Sequence, residues 1–382
     1  MLSFATRRFF ILLLTLLVVS FSAFVIVASN ERALRALAVG ELGSRTTPEE
    51  AKSWINREIF HKCPEGERDL AKCDKYPVYE RYWDWLKGFV VGDWGYSIVF
   101  KKHILGYSEY KLDSKGEIIK DRDGNPRITK DPWGVMNERL VATGILAFWT
   151  FVPMVFFSLL IGVIAGMNEG SRTDRSLSVL SIATTSMPEY VSGILFTVFF
   201  ATSFGIFAWL AGFFDLFSFS STWFDDWAKR SPLKAVSNYD KDGVSFAVLF
   251  LPVITMAIYG FGYIARMTRA SMAEVMASQY IRTAILKGVP RRQVVFSHAL
   301  RNALIAPFTV IMLQIPWLLS GVVIVEIMFN YKGFGFALNK AAMNMDFNLI
   351  VACSIVSVIV VLLTQFISDI GYIILNPRLR KQ

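Results

Sequence analysis

The segment Tyr280–Asn302 reads YIRTAILKGVPRRQVVFSHALRN and sits between two apolar runs, Val244–Ile264 and Ala303–Ile327. Its residue types suit docking by charge and shape. Arg282, Lys287, Arg291 and Arg292 offer fixed cations, while His298 reads as an ordinary helix histidine and not as a base. Gly288 directly after Lys287 is a helix stop, and Pro290 suits the first turn of a new helix. The expectation is two short helices meeting at a tight turn, a rigid knob that a soluble partner can grip.

Other chemistry is missing from the sequence. No G-x-x-x-x-G-K-[ST] run occurs, so the chain does not hold ATP by a P-loop. No H-E-x-x-H, G-x-S-x-G or metal cluster stands beside the three histidines, His61, His103 and His298. Cys63 and Cys73 fall in a long loop where an oxidising compartment allows a disulfide. With only His61 nearby, their spacing does not make a zinc site. Cys353 reads as a small packing residue.

These residues must be positioned by membrane spans. Of the 382 residues 54% are hydrophobic, well above the usual soluble content. Apolar runs of about 20 residues or more are placed at Phe9–Ala28, Gly144–Met167, Leu177–Phe207, Val244–Ile264, Ala303–Ile327 and Leu349–Leu375. The fold class is therefore an all-α membrane protein with six transmembrane helices. Three segments organise it: a first helix over 1–28, an extracytoplasmic loop region over 29–140, and a five-helix core over 141–382 that carries the loop 266–302. The apolar run after Arg7 and Arg8 reads as an uncleaved span, being longer than a secretory core.

Charges in short loops set the orientation. Arg172 and Arg175, the basic knob, the tail Arg378–Lys381, and Arg7 with Arg8 all fall on one side of a six-span chain. Both termini are expected in the cytoplasm. The net charge of +9 thus speaks of membrane lipid and orientation; no basic face with stacking aromatics points to nucleic acid. Within the external region, Pro48–His61 and Tyr82–Val91 read as amphipathic helices. Lys111–Lys130, with its Asp123–Pro126 turn, reads as a small β-hairpin. Trp209–Gly243 is expected to fold partly back onto the membrane surface.

Ionisable groups inside a span are costly and each needs an account. Glu189 follows Pro188 in the third span, where the proline bends the helix. Glu326 lies near the outer end of the fifth span, about three turns after Gln314 and Pro316, and Asp369 lies toward the inner end of the sixth. Pro188, Glu189, Gln314 and Glu326 are the candidates for a translocation path. Glu326 has a structural alternative, tying the Asn330–Leu338 segment to its span, and Asp369 that of a helix-packing hydrogen bonder. Gly162, Gly166, Gly193 and Gly321 read as close helix contacts.

The pattern Arg282-Thr283-Ala284-x-x-Lys287-Gly288 followed by His298-Ala299-Leu300-Arg301-Asn302 resembles the cytoplasmic coupling loop of ABC importer permeases. The likeness is greatest to the peptide and nickel branch, in the first of its two permease subunits. The wider superfamily has Glu where Arg282 stands, Ala at Thr283 and Pro at Arg301. Val325-Glu326-x-x-Phe329 with Gly333-Phe334-Gly335, Ser368-Asp369 and Asn376-Pro377-Arg378 resemble further signatures of that branch. So do Tyr82-Trp83-x-Trp85 and Gly92-Asp93-x-Gly95-x-Ser97.

The resemblance implies the type I importer permease fold in a bacterial inner membrane. It implies a second homologous permease subunit, two ATPase subunits and an extracytoplasmic substrate-binding protein as partners. ATP and Mg2+ would then reside in the partner subunits, with no cofactor in this chain. Coupling would fall to Tyr280, Arg282, Thr283, Ala284, Lys287, Gly288, Arg291 and His298. Dipeptides, oligopeptides, nickel chelates, oligosaccharides and opine-like compounds all lie within the branch's substrate range. A membrane sensor or scaffold, or a secondary transporter, is the alternative. The chain shows no internal duplication of the kind secondary transporters carry.

Overall fold

The computed structural model describes residues 2–43, 45–63, 73–110, 128–131, 133–201 and 246–375. The described chain is mostly helical. In order it comprises α1 (Leu2–Ala28), α2 (Glu31–Leu42), α3 (Pro48–Trp54), α4 (Val78–Val91), α5 (Gly134–Met167), α6 (Arg172–Ser186) and α7 (Glu189–Phe196). There follow α8 (Phe246–Met276), α9 (Gln279–Leu286), the helical stretch α10 (Arg291–Ala303), α11 (Ile305–Met328), α12 (Phe334–Met343) and α13 (Phe347–Leu375).

Among the described residues four helices are long and apolar enough to cross a membrane: α1, α5, α8 and α13. A fifth span arises if α10 and the first part of α11, bent by 55°, are taken together. The third expected span is not one helix. It ends at Ser186 and restarts at Glu189, because Pro188 cannot donate to the preceding turn. Trp209–Gly243 and Asn376–Arg378 lie outside the described residues.

Two compact units divide the chain differently from the three segments read off the sequence. One comprises Met1–Phe9, Ala142–Phe336 and Val360–Gln382; the other comprises Phe10–Val141 and Ala337–Ile359. The second unit draws in the start of α13 because two devices tie it there. Phe24, Tyr82, Trp85 and Phe347 form an aromatic cluster, and Ser20 and Tyr82 share a 2.6 Å hydrogen bond. Asp346, buried, accepts from Ser97 Oγ at 2.7 Å and the Val99 N–H at 3.1 Å, while also capping Leu349 N. The Gly92–Ser97 motif is thus a docking turn for the head of the last helix.

The same unit holds three antiparallel strand pairs: His61–Lys62 with Asp74–Lys75, Tyr96–Ser97 with Lys102–His103, and Tyr107–Tyr110 with Ile128–Asp131. The last pair is the expected hairpin, with its stem starting earlier than Lys111; the Asp123–Pro126 turn lies outside the described residues. Cys63 and Cys73 are joined as a disulfide beside the first pair.

In the other unit, Leu146, Met154, Leu251, Met256, Ile264, Leu318, Val325 and Phe329 form the core. Small residues allow the helices to meet closely. A Cβ on Gly162 would stand 2.6 Å from Ala265 O, and one on Gly166 would stand 2.7 Å from Arg269 O. That is room only for hydrogen, so α5 crosses α8 backbone to backbone.

Candidate functional site

The knob is built by a complete helix stop. Ser278 opens α9 in extended conformation, and Ile281 turns inward, fully buried. At the other end Gly288 has φ +77. Its N–H donates to Ile285 O at 3.0 Å and the Val289 N–H donates to Ala284 O at 3.2 Å. This pair of bonds is the Schellman arrangement, which satisfies carbonyls that a helix end otherwise leaves free. Pro290 stands one position earlier than the sequence implies, as the cap before Arg291 and not inside the first turn.

Behind the turn the chain continues as α10, with π-type hydrogen bonding over Val294–Ala299. Val294, Val295, Ala299 and Ala303 pack with Ile281 and Met272 into a small core of their own. Tyr280 clasps the two arms: its hydroxyl accepts from Asn302 Nδ2 at 2.9 Å and donates to His298 O at 3.5 Å. Arg282, Thr283, Lys287 and His298 are exposed, and Ala284 is half-buried beneath them.

Arg291 is exposed and also serves inside the fold. Its guanidinium donates to Met167 O and Asn168 Oδ1, both at 3.2 Å, and so caps the C-terminus of α5. Two residues the sequence reading passed over complete the knob. Ile285 is 53% and Leu286 82% exposed at the tip of α9. Two large apolar residues just ahead of the Lys287-Gly288 stop in a basic loop were the available signal.

A second omission is an ion pair at the base of the knob's supporting helix. Asp174 is buried and accepts from Arg269 Nε at 3.0 Å and Nη2 at 2.8 Å, from the Gly170 N–H at 2.9 Å and from Ser178 Oγ. The Arg269 guanidinium, with the Gly170 N–H and Ser178, holds the Asp174 carboxyl down at about 2. This fork fastens the Asn168–Ser176 loop to α8, about three turns before the knob begins. Arg8 and Asp369 form a partly exposed ion pair at 3.0 Å, with Gln365 Nε2 donating to Asp369 Oδ1.

The mid-span candidates separate into two kinds. Glu326 is fully buried, with one oxygen accepting from Thr143 Oγ1 and the other from the Phe336 N–H at 2.7 Å. Thr143 in turn accepts from the Phe334 N–H at 2.7 Å. The carboxylate and hydroxyl together satisfy the free amides that open α12, which is the geometry of a structural tie.

Glu189 is different. It opens α7 just after Pro188, and its buried Oε2 has no hydrogen-bond partner among the described residues. Tyr259 of α8 lies within its electrostatic reach, and Tyr259 stacks on Trp317 of α11 with ring centroids 4.9 Å apart. Gln314, one turn before Trp317, is mostly buried beside Gly260. A carboxylate, an amide and two stacked aromatics therefore gather where α7, α8 and α11 meet. Such a group can receive an ammonium, amide N–H groups and apolar side chains.

Comparison with known proteins gives a consistent picture. Residues 158–381 match the model of the binding-protein-dependent transport system inner membrane component. The chain is 34% identical over 290 residues to the di/tripeptide transport system permease protein DppB of Pseudomonas aeruginosa, covering 72% of this chain and 81% of that protein. It is 26% identical over 303 residues to the oligopeptide transport system permease protein AppB of Bacillus subtilis, covering 79% and 81% respectively. Similarity to the dipeptide transport system permease protein DppB of Escherichia coli K12 is 29% over 274 residues, covering 65% and 78%.

Proposed function

The chain belongs to the family of binding-protein-dependent transport system inner membrane components, and on that premise we propose that it forms half of a translocation pathway for peptides. It is a permease of the peptide branch of ABC importers, working with a separate ATPase and a substrate-binding protein, and is not itself an enzyme. Our reading adds a second homologous permease subunit beside it and two ATPase subunits below it. ATP and Mg2+ are held by those ATPases, and this chain carries no cofactor. Both termini face the cytoplasm, as the loop charges favour.

The observation that carries the reading is the knob. A motion delivered to Ile285 and Leu286 enters a unit held by the closed turn at Gly288, a core of its own and a side-chain clasp. The unit has little freedom to absorb such a motion locally. The 55° elbow at Leu304 leads directly into α11, which carries Gln314 and Trp317. Closure of the ATPases would thus reach the path lining as rotation of α11 and α8. Alternating access needs such an element, biased from both sides.

Peptides are the proposed cargo because Glu189 has carboxylate capacity left over and because the relatives above are named for dipeptides and oligopeptides. The test is uptake into proteoliposomes holding the whole complex, with the binding protein outside and ATP inside. Peptide accumulation that requires both supports the reading. Accumulation of nickel chelates or oligosaccharides but not peptides would overturn the substrate assignment. External thiol reagent reaching a cysteine engineered beside Gln382 would overturn the orientation.

A further inference from the structure

A groove of about 650 Å³ runs between α5 and α10, away from the Glu189 neighbourhood and the knob tip. Its floor is apolar: Leu159, Leu160 and Val163 of α5 and Phe296 and Leu300 of α10. Its mouth is polar, formed by Arg291, Arg292 and Asn168 at the C-terminal end of α5. Arg291 is already committed to Met167 O and Asn168. Arg292 is exposed and has no ion pair among the described residues.

The dimensions fit one leaflet. From Phe156 to Met167 the helix rises about 16 Å, against about 15 Å for half the hydrocarbon core of a bilayer. Phe156 and Leu160 are 61% and 46% exposed, so this face meets whatever fills the groove. A cation at the interface end and a hydrocarbon floor beneath it complement an anionic head with an acyl tail. Basic pockets between spans on the cytoplasmic side take anionic lipid heads for this reason.

We infer that the groove holds an anionic phospholipid of the cytoplasmic leaflet, its phosphate at Arg292 and the edge of Arg291, and one acyl chain along α5. The inference rests on the membrane orientation proposed above. The phospholipid wedges between α5 and α10, and so supports the knob from the membrane side. A helix of a second permease subunit is the competing occupant, and the experiment below separates the two.

The test uses the assembled complex in nanodiscs of phosphatidylglycerol and phosphatidylcholine, with a photoactivatable group on the phosphatidylglycerol acyl chain. Cross-linking is expected within Phe156–Met167, and native mass spectrometry is expected to retain phosphatidylglycerol in preference to phosphatidylcholine. Arg292→Gln should lower that preference about fivefold, as loss of one interfacial cation predicts. Leu160→Trp should remove the cross-link while leaving assembly unchanged. Equal retention of both lipids, an unchanged preference with Arg292→Gln, or a disulfide from Leu160→Cys into the second permease subunit would overturn the proposal. Retention is read without transport, so loss of peptide uptake leaves this result standing.

Discussion

The knob and the Glu189 neighbourhood are both helix breaks built around a proline inside one compact unit, yet they are finished in opposite ways. Between Leu286 and Arg291 the freed carbonyls are taken up by Gly288 and Val289, and a hydroxyl clasp joins the arms. Both new helices open on a proline without a side-chain cap, but at Met187–Pro188 a buried carboxylate oxygen is also left over. A transmitter of motion must have one conformation, so the polar groups that shape its turn and clasp are consumed. A site that receives a changing cargo must keep polar capacity in reserve, at some cost in stability.

The largest effect that could break this contrast is expected at Gly288. Its φ of +77 costs a residue with a β-carbon about 1 kcal/mol, and a β-branched one more. No atom lies within 4 Å of the added Cβ, so the strain comes from the backbone alone. Gly288→Val should leave insertion and receptor binding intact while abolishing substrate-stimulated ATP hydrolysis in the reconstituted complex. Gly288→Asn, which tolerates this conformation, should keep much of it. Equal stimulation in wild type and the valine variant would remove the coupling role.

Next in size is Glu189. Glu189→Gln keeps shape but removes the charge, and a lost charged hydrogen bond is worth roughly 1.5–3 kcal/mol. Peptide uptake should fall at least about tenfold, with ATPase docking unchanged in a pull-down. Uptake at the wild-type level would make the orphan oxygen a mere packing defect and collapse the contrast.

Asp174 sharpens the same comparison from the side of rigidity. Its carboxyl is held at about 2 in the folded chain, below the usual value near 3.9. Its contribution is therefore complete above about pH 4 and is lost as pH falls from there toward 2. Asp174→Asn should destabilise the chain by roughly 1.5–3 kcal/mol and remove this acid-side loss. Thermal unfolding in detergent at pH 7 and pH 3 measures both. An unchanged acid limb would mean that the fork to Arg269 does not lock the loop.

The two breaks also differ in how far the sequence disclosed them. The glycine stop and Pro290 are local signals, so the turn between two short helices could be read from the sequence. Four of the six expected spans and the Cys63–Cys73 pair were legible as well, whereas the third span was read as continuous and is broken at Met187–Pro188. Pairings across distance were not legible. Asp174 and Arg269 are 95 positions apart, and each alone reads as one more loop charge. Thr143 gives no hint that it shares the opening amides of α12 with Glu326. Nothing local to Arg291 reveals that the end of α5 lies beside it. Ile285 and Leu286 were hidden by the opposite bias, since apolar residues in a helix are assumed to face inward.

The smallest expected effect separates rigidity from contact within the knob itself. Tyr280 is 44% exposed, so its ring can touch a partner while its hydroxyl joins Asn302 to the His298 carbonyl. Tyr280→Phe deletes only the hydroxyl bonds, which at an exposed site contribute about 0.5–1 kcal/mol. Stimulated ATP hydrolysis should then fall by no more than about fivefold, because the Schellman turn and the Ile281 core still hold the arms. Tyr280→Ala removes the ring as well. If the ring is part of the gripping surface beside Ile285 and Leu286, the alanine variant should also lose ATPase subunits in the pull-down, while phenylalanine retains them. Equal losses in both variants would assign Tyr280 wholly to the clasp. Retention in both would leave the apolar tip and the basic residues as the entire docking surface.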